Sequence, residues 1–307
     1  MAPRPFRFAL SLGDFHDRAS LVATIRRAEE AGFHVLTGVD HIGPPLGVLP
    51  LLAMVAQLSE LRVSPMVIAN DYRHPVLLAK DAATIDALSE GRFELGLGTG
   101  WIRSQYESAG IPYERAGVRV GRLEEAIAVI KGCWTAERFV FAGDHYRVDL
   151  VGSPRPFQPG GPPLLIGAAG DRMLALAGRH ADIVGFTLTL GQTGFDSFSA
   201  VVATSAARID HQLGVVQRAA GERFGELELS AAIHYIEPDV DAANAFAQRI
   251  DVDPELLLAS PHGLVGPQDQ MADTLRRHRQ QHGLSYFAFR GADLDHAAPV
   301  VSQLSGS

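Results

Sequence analysis

The sequence predicts an α/β fold: a closed (β/α)8 TIM barrel with an insertion between its fourth helix and fifth strand. Three observations predict it. Short, near-continuous apolar runs alternate with stretches whose apolar residues recur at helical spacing, which implies a parallel sheet covered by helices. Eight such strand–helix units can be counted, and eight favours closure over an open doubly wound sheet. The 307-residue length suits a single barrel domain over residues 1–307.

The elements follow in order. Phe6–Leu12 is apolar and bounded by Gly13, so it reads as a buried strand. Ser20–Gly32 has apolar residues at 21, 22, 25, 28 and 31, with Ser20 as expected N-cap and Gly32 as C-cap. Strands are expected at His34–Asp40, Val63–Asn70 and Phe93–Thr99. Helices are expected at Leu51–Leu61, Val76–Ser89 and Arg119–Thr135. Arg138–Pro163 then interrupts the pattern with a hairpin (FVF–AGD–HYRV) and a Pro/Gly-rich run, read as an insertion over the end of the barrel. Alternation resumes with strands at Leu164–Ala169, Ala181–Leu188, Leu227–Ile236 and Ser285–Arg290. The remaining helices fall at Arg172–His180, Phe195–Ala220, Ala242–Leu258, Pro267–His282 and Asp295–Leu304.

Composition excludes several classes. The net charge is −8 without a Lys/Arg-dense run, which argues against nucleic acid as the main ligand. Cys133 is the lone cysteine, so no intramolecular disulfide or Cys-clustered metal site can form. Apolar stretches such as Leu49–Ala56 are far shorter than the ~20 residues that span a bilayer. The N-terminal segment lacks the pattern of a signal peptide, so a soluble cytoplasmic protein is expected.

In a barrel the chemistry sits in loops at the C-terminal strand ends. Asp40 and His41 close strand two, where a carboxylate and an imidazole can share protons with a ligand or stabilise a turn. Asn70 ends strand three, and Arg73 and His74 read as structural residues before Pro75 at a helical first turn. Gly96–Trp101 is G-x-G-x-G-W, not a dinucleotide fingerprint. Its small residues suit either a planar ligand or tight barrel packing, and Trp101 offers a wall for stacking. Gly167–Arg172 opens a helix, so its backbone N–H groups suit a phosphate, or a tight turn capped by Asp171. Gly263–Pro267 reads as a helix cap, and Arg290 as an anion partner or a mate for Asp293. No metal is expected, since the twelve histidines form neither H-x-H nor H-E-x-x-H. His278 and His282, at i and i+4, read as part of a solvated face.

Several strings together resemble the luciferase-like monooxygenase superfamily, whose members bind FMN or the deazaflavin F420. The most specific is RHPVLLAKDAATIDALSEGRFELGLGTGW at 73–101. RLEEAIAVIKGCW, PPLLIGAAGDRMLALAGRHADIVG and VGPQDQMADTLRRHRQQHGLSYFAF support it in the expected order. ANDYRHP at 69–75 is similar to the actinobacterial F420-dependent oxidoreductases. The resemblance implies a homodimeric barrel acting on a small molecule, with a hydride passing between the deazaflavin C5 and the substrate. It implies Asp40 and His41 beside the ring, His41 moving the proton and Asp40 orienting it. A non-proline cis peptide is implied at Met66-Val67, with Asn70, Gly98, Thr99, Gly100 and Trp101 near the ring. Gly167, Ala168, Ala169, Gly170 and Asp171 match the phosphate-contacting segment. Trp101 stands where the sugar-phosphate and alcohol dehydrogenases carry Glu, and Pro44-Pro45 lie near where they carry Trp. Alternatives are an FMN-dependent monooxygenase using O2 and a non-catalytic flavin-binding barrel.

Overall fold

The computed structural model describes residues 4–307 except 14, 16, 44, 45, 153 and 189–205. The first part of the helix expected at Phe195–Ala220 and the pair at 44 and 45 lie outside the described residues. In chain order the strands are β1 (Arg7–Ser11), β2 (Val35–Gly38), β3 (Arg62–Pro65), β4 (Ile68–Ala69), β5 (Leu95–Gly98), β6 (Arg138–Ala142) and β7 (Arg147–Val151). Then come β8 (Leu164–Ala168), β9 (Ile183–Phe186), β10 (Glu228–Ala232), β11 (Tyr235–Glu237), β12 (Gly263–Val265) and β13 (Leu284–Arg290). The chain divides into two compact units, Met1–Val35 with Ala168–Arg179 and Ile183–Ser307, and Leu36–Gly167 with His180–Asp182.

In the first unit, β13 pairs in parallel with both β1 and β10, and β10 pairs in parallel with β9. Their alternation is nearly all apolar, as buried parallel strands require. Phe6, Phe8, Phe287 and Phe289 are at most 1% exposed. Each buried ring contributes roughly 1.5–3 kcal/mol relative to exposure. Helix Arg18–Ala31 is capped by Asp17, not Ser20. Asp17 accepts from the Ser20 amide at 2.8 Å and Ser20 reciprocates, a capping box that starts the helix earlier. Gly32 ends it in the left-handed conformation, as expected.

Four expectations in this unit need correction. The strand expected at Leu227–Ile236 is two strands, because β11 leaves to pair with β12 in a separate parallel sheet. The Gly263–Pro267 run, expected only to cap a helix, thus carries a strand. The helix expected at Ala242–Leu258 is two, Val240–Arg249 and Pro254–Ala259; Asp251 turns back at φ 55° and Asp253 with Pro254 restarts the helix. His278 is 1% exposed, so the expected solvated face of Gln268–His282 is in part its packed face. Arg290 pairs with Asp293 at 2.6 Å.

In the second unit β3 neighbours β2, and β5 pairs in parallel with β4 and β8. The strand expected at Val63–Asn70 is interrupted: β3 and β4 flank a cis peptide between Met66 and Val67. The glycines of β5 are explained here. A Cβ on Gly96 would lie 1.9 Å from the Pro65 carbonyl oxygen, and one on Gly98 would lie 2.6 Å from a Val67 methyl. Their smallness serves this close approach, the packing alternative of the two read from sequence. Gly96→Ala is expected to cost about 3 kcal/mol or more, since the clash is with backbone that cannot swing away. Gly13→Ala, with nothing within 4 Å, should stay within about 0.5 kcal/mol. Urea midpoints of the two variants check this; equal midpoints would refute it.

β6 and β7 form the expected antiparallel hairpin between helix Ala116–Thr135 and β8. Trp134 of that helix donates to the Ala79 carbonyl at 2.9 Å, locking it to helix Pro75–Leu88.

Candidate functional site

The second unit gathers the residues expected near a ring. β2 ends at Gly38, leaving Asp40 and His41 on the loop beyond it. The Asp40 carboxylate is buried and doubly engaged by Arg73, at 2.6 and 2.8 Å, while also accepting from the Ala69 amide at 3.1 Å. This fork-to-fork geometry is the strong form of ion pair. Both Asp40 oxygens are therefore taken by Arg73, and the structure gives no hydrogen bond from His41 to Asp40 among the described residues. The His41 side chain is exposed to solvent. Surrounding protein nonetheless removes enough water to lower its pKa below 6.5, against the opposing pull of Asp40. A neutral imidazole at pH 7 results, able to accept a proton. The following amide, Ile42, is held by Gln105 at 3.0 Å.

Asn70 opens the short turn after β4 and is 1% exposed. Its amide nitrogen donates to the Tyr146 hydroxyl at 3.4 Å, while its oxygen has no partner. Next to it, Asp71 is paired with Arg122 at 2.9 Å. Tyr72 packs on Tyr106 with ring centroids 5.0 Å apart. Burial, and then the charges of Asp40 and Asp71, push the Tyr72 pKa up to about 12, so it is a neutral hydrogen donor here.

The turn after β5 is held from outside. Gly100 sits at φ +70°, and its Cβ would lie 2.0 Å from the Tyr106 hydroxyl. Tyr106 donates to the Thr99 carbonyl at 3.1 Å and Tyr113 to the Trp101 carbonyl at 3.1 Å. Arg119 spends its guanidinium on this turn: it reaches the Thr99 carbonyl at 3.2 Å, the Gly100 carbonyl, and the Tyr113 hydroxyl at 3.0 Å. It also lies over the Tyr113 ring, 4.1 Å from the centroid. Trp101 is 41% exposed.

The Gly167–Asp171 segment spans the end of β8 and the start of helix Asp171–His180. The Ala169 carbonyl accepts from Gln212 at 3.2 Å, and Asp171 pairs with His211 at 2.9 Å. A Cβ on Gly170 would meet nothing within 4 Å, which leaves the backbone ahead of the helix open.

Sequence reasoning missed Tyr106, Tyr113, Arg119, Arg122, Glu125 and Tyr146. The legible signal was the spacing of Arg119, Arg122 and Glu125, each three residues on along one helix.

Residues 5–221 match the model of the luciferase-like monooxygenase family. The chain belongs to that family. Among relatives, this luciferase-like chain is 32% identical over 203 residues to the F420-dependent glucose-6-phosphate dehydrogenase of Nakamurella multipartita, covering 62% of this chain and 58% of the relative. It is 30% identical over 214 residues to the FMNH(2)-dependent dimethylsulfone monooxygenase of Pseudomonas fluorescens, covering 69% and 57%. The chain thus spans a little over half the length of these relatives. Across 98% of both chains it superposes on the coenzyme F420-dependent tetrahydromethanopterin reductase of Methanopyrus kandleri, with a TM-score of 0.76 at 17% identity. That likeness establishes the fold as the expected (β/α)8 barrel. Among the described residues no helix is long and apolar enough to cross a membrane.

Proposed function

We propose that this luciferase-like chain, as one barrel domain, is an F420-dependent oxidoreductase acting on a small organic substrate. The observation that carries the reading is Asn70: a buried amide oxygen without a partner, beside the Asp40–Arg73 pair. Native proteins rarely leave such an atom unpaired, and a ligand N–H would satisfy it. The family, the F420-dependent relatives and the residue pattern support the same group. When bound, a deazaflavin supplies hydride chemistry.

The chain's own residues do the rest. Neutral His41 takes or returns the proton that accompanies hydride movement. Asp40 keeps the Arg73 and Ala69 loop in place around it, a supporting role at one remove from the reacting atoms. Thr99 and Gly100, held by Arg119, and Trp101, held by Tyr113, are assigned to one side of a planar ring, with Met66, Val67 and Gly98 assigned near it. The backbone amides of Gly167–Asp171 are assigned a phosphate, each dipole term contributing about 0.3–1 kcal/mol when exposed. A cytoplasmic homodimer is the expected setting.

Absorbance titration with F420 tests the reading: saturation at micromolar concentrations is expected, and its absence would defeat the proposal. His41→Asn is expected to leave the F420 Kd within about twofold while lowering kcat by about 10²–10⁴. The likeness to the FMNH(2)-dependent relative supports a second reading, an FMN-dependent monooxygenase. FMN retained through gel filtration would favour it.

A further inference from the structure

We infer that Asn70 and Tyr146 together form a recognition pair for the edge of a cyclic amide, and that Glu125 sets the position of Tyr146. This rests on the functional reading above and adds the hairpin insertion to the site.

The inventory of donors and acceptors leads there. Asn70 donates one amide hydrogen to the Tyr146 oxygen, and its own oxygen is unpartnered in a residue 1% exposed. A phenol has one hydrogen to give, and no hydrogen bond among those described uses that of Tyr146. The pair thus presents an acceptor on the Asn70 oxygen beside two donors, the Tyr146 hydroxyl and the second Asn70 amide hydrogen. Turning the Asn70 amide over would leave its two N–H donors beside the Tyr146 oxygen as acceptor, so donor and acceptor still stand side by side. An adjacent N–H and C=O, the edge of a lactam or imide ring, matches one acceptor beside one donor. A phosphate, a carboxylate or a simple ketone offers only acceptors and would leave the Asn70 oxygen unpaired. The pyrimidinedione edge of a flavin or deazaflavin carries the matching pair.

Tyr146 is held where this requires it. The Glu125 carboxylate accepts from three successive amides at the hairpin tip, Asp144 at 2.8 Å, His145 at 2.9 Å and Tyr146 at 3.1 Å. A Cβ on Gly143 would lie 2.3 Å from a Glu125 oxygen, so the tip closes tightly on the carboxylate. His74 packs edge-on against the Tyr146 ring, with centroids 5.4 Å apart. Burial raises the Tyr146 pKa, which keeps its hydroxyl a donor at neutral pH.

The test titrates F420 and FMN separately into the full-length wild type, Tyr146→Phe and Glu125→Gln, reading Kd and the position of the bound visible band, with Tm as the fold control. For whichever cofactor the wild type binds, Tyr146→Phe should weaken binding about tenfold, the worth of one well-made hydrogen bond. The band should move, and Tm should stay within about 2 °C. Glu125→Gln should weaken binding in the same direction by a smaller factor. N3-methylated FMN, which lacks the imide N–H, should bind the wild type more weakly than FMN if FMN is the ligand. Binding that Tyr146→Phe leaves unchanged in Kd and band position would overturn the pair alone. A loss with Tyr146→Phe but none with Glu125→Gln would overturn the role of Glu125. Failure of the wild type to bind either cofactor would overturn the functional reading and this inference with it.

Discussion

Arg73→Met is expected to lower the free energy of unfolding by about 3 kcal/mol, because it strands the Asp40 carboxylate in the interior. The Asp40 side chain is 6% exposed and would keep only the Ala69 amide as partner. The cost sits at the low end for breaking a buried pair, since the Arg73 side chain is 26% exposed and water can enter from its side. The double variant Asp40→Asn with Arg73→Met should recover much of the loss, because no naked charge remains. Urea midpoints for the four members of the cycle measure it. Strict additivity would mean that the two side chains do not depend on each other, contrary to the geometry.

Acid should destabilise the first unit well before its carboxylates titrate. His262 and His278 are buried there, and His234 is half-buried. His262 hydrogen-bonds the Ala232 carbonyl at 2.8 Å, and its ring lies 5.7 Å from that of His234. His278 meets His282 through their Nδ1 atoms at 3.2 Å, which needs a lone pair on one of the two. Burial lowers the pKa of His262 to about 4 despite the Ala232 carbonyl. Burial, then His282, Arg277 and His262, lowers that of His278 to about 3. Burial, then His262 and Arg290, lowers that of His234 to about 3. Each folded-state pKa lies below the unfolded value of 6.5, so the unfolded chain binds more protons below that pH. Stability is therefore full above about pH 6.5 and falls as pH drops toward 3–4. Between pH 7.5 and 5.0 the loss is about 2 kcal/mol per histidine, a window in which unperturbed carboxylates stay ionised. Equal urea midpoints at the two pH values would refute it.

The strands were legible where apolar runs are short and bounded, as at Leu95–Gly98 and Leu284–Arg290. What escaped was non-local. Periodicity runs straight through the third expected strand; the family resemblance put a cis peptide at Met66-Val67, but the close approach of Gly96 and Gly98 to Pro65 and Val67 there is not displayed by any window of residues around Met66. β11 departs from β10 because β12, nearly thirty residues on, offers it a partner. The site divides the same way. Asp40, Asn70 and Thr99 stand at strand ends, and position alone picks them out. Arg73 claims Asp40 across 33 residues, Arg119 reaches Thr99 across 20, and Tyr146 reaches Asn70 across 76. Periodicity carries no information about such separations. His278 misled for a related reason: its neighbours Arg277 and Arg279 are charged, yet the helix turns it inward among other histidines.

The grip of Glu125 on the hairpin is made to main-chain N–H groups, which every residue but proline possesses. The tip's address is thereby independent of most of the side chains the hairpin carries. The exposed positions of its two arms, unlike buried Val148 and Phe139 packed on Gly132, can change while one phenol is still delivered to the same spot. The carboxylate thus acts as a socket for the main chain of the tip, indifferent to most of what the exposed side of the insertion displays.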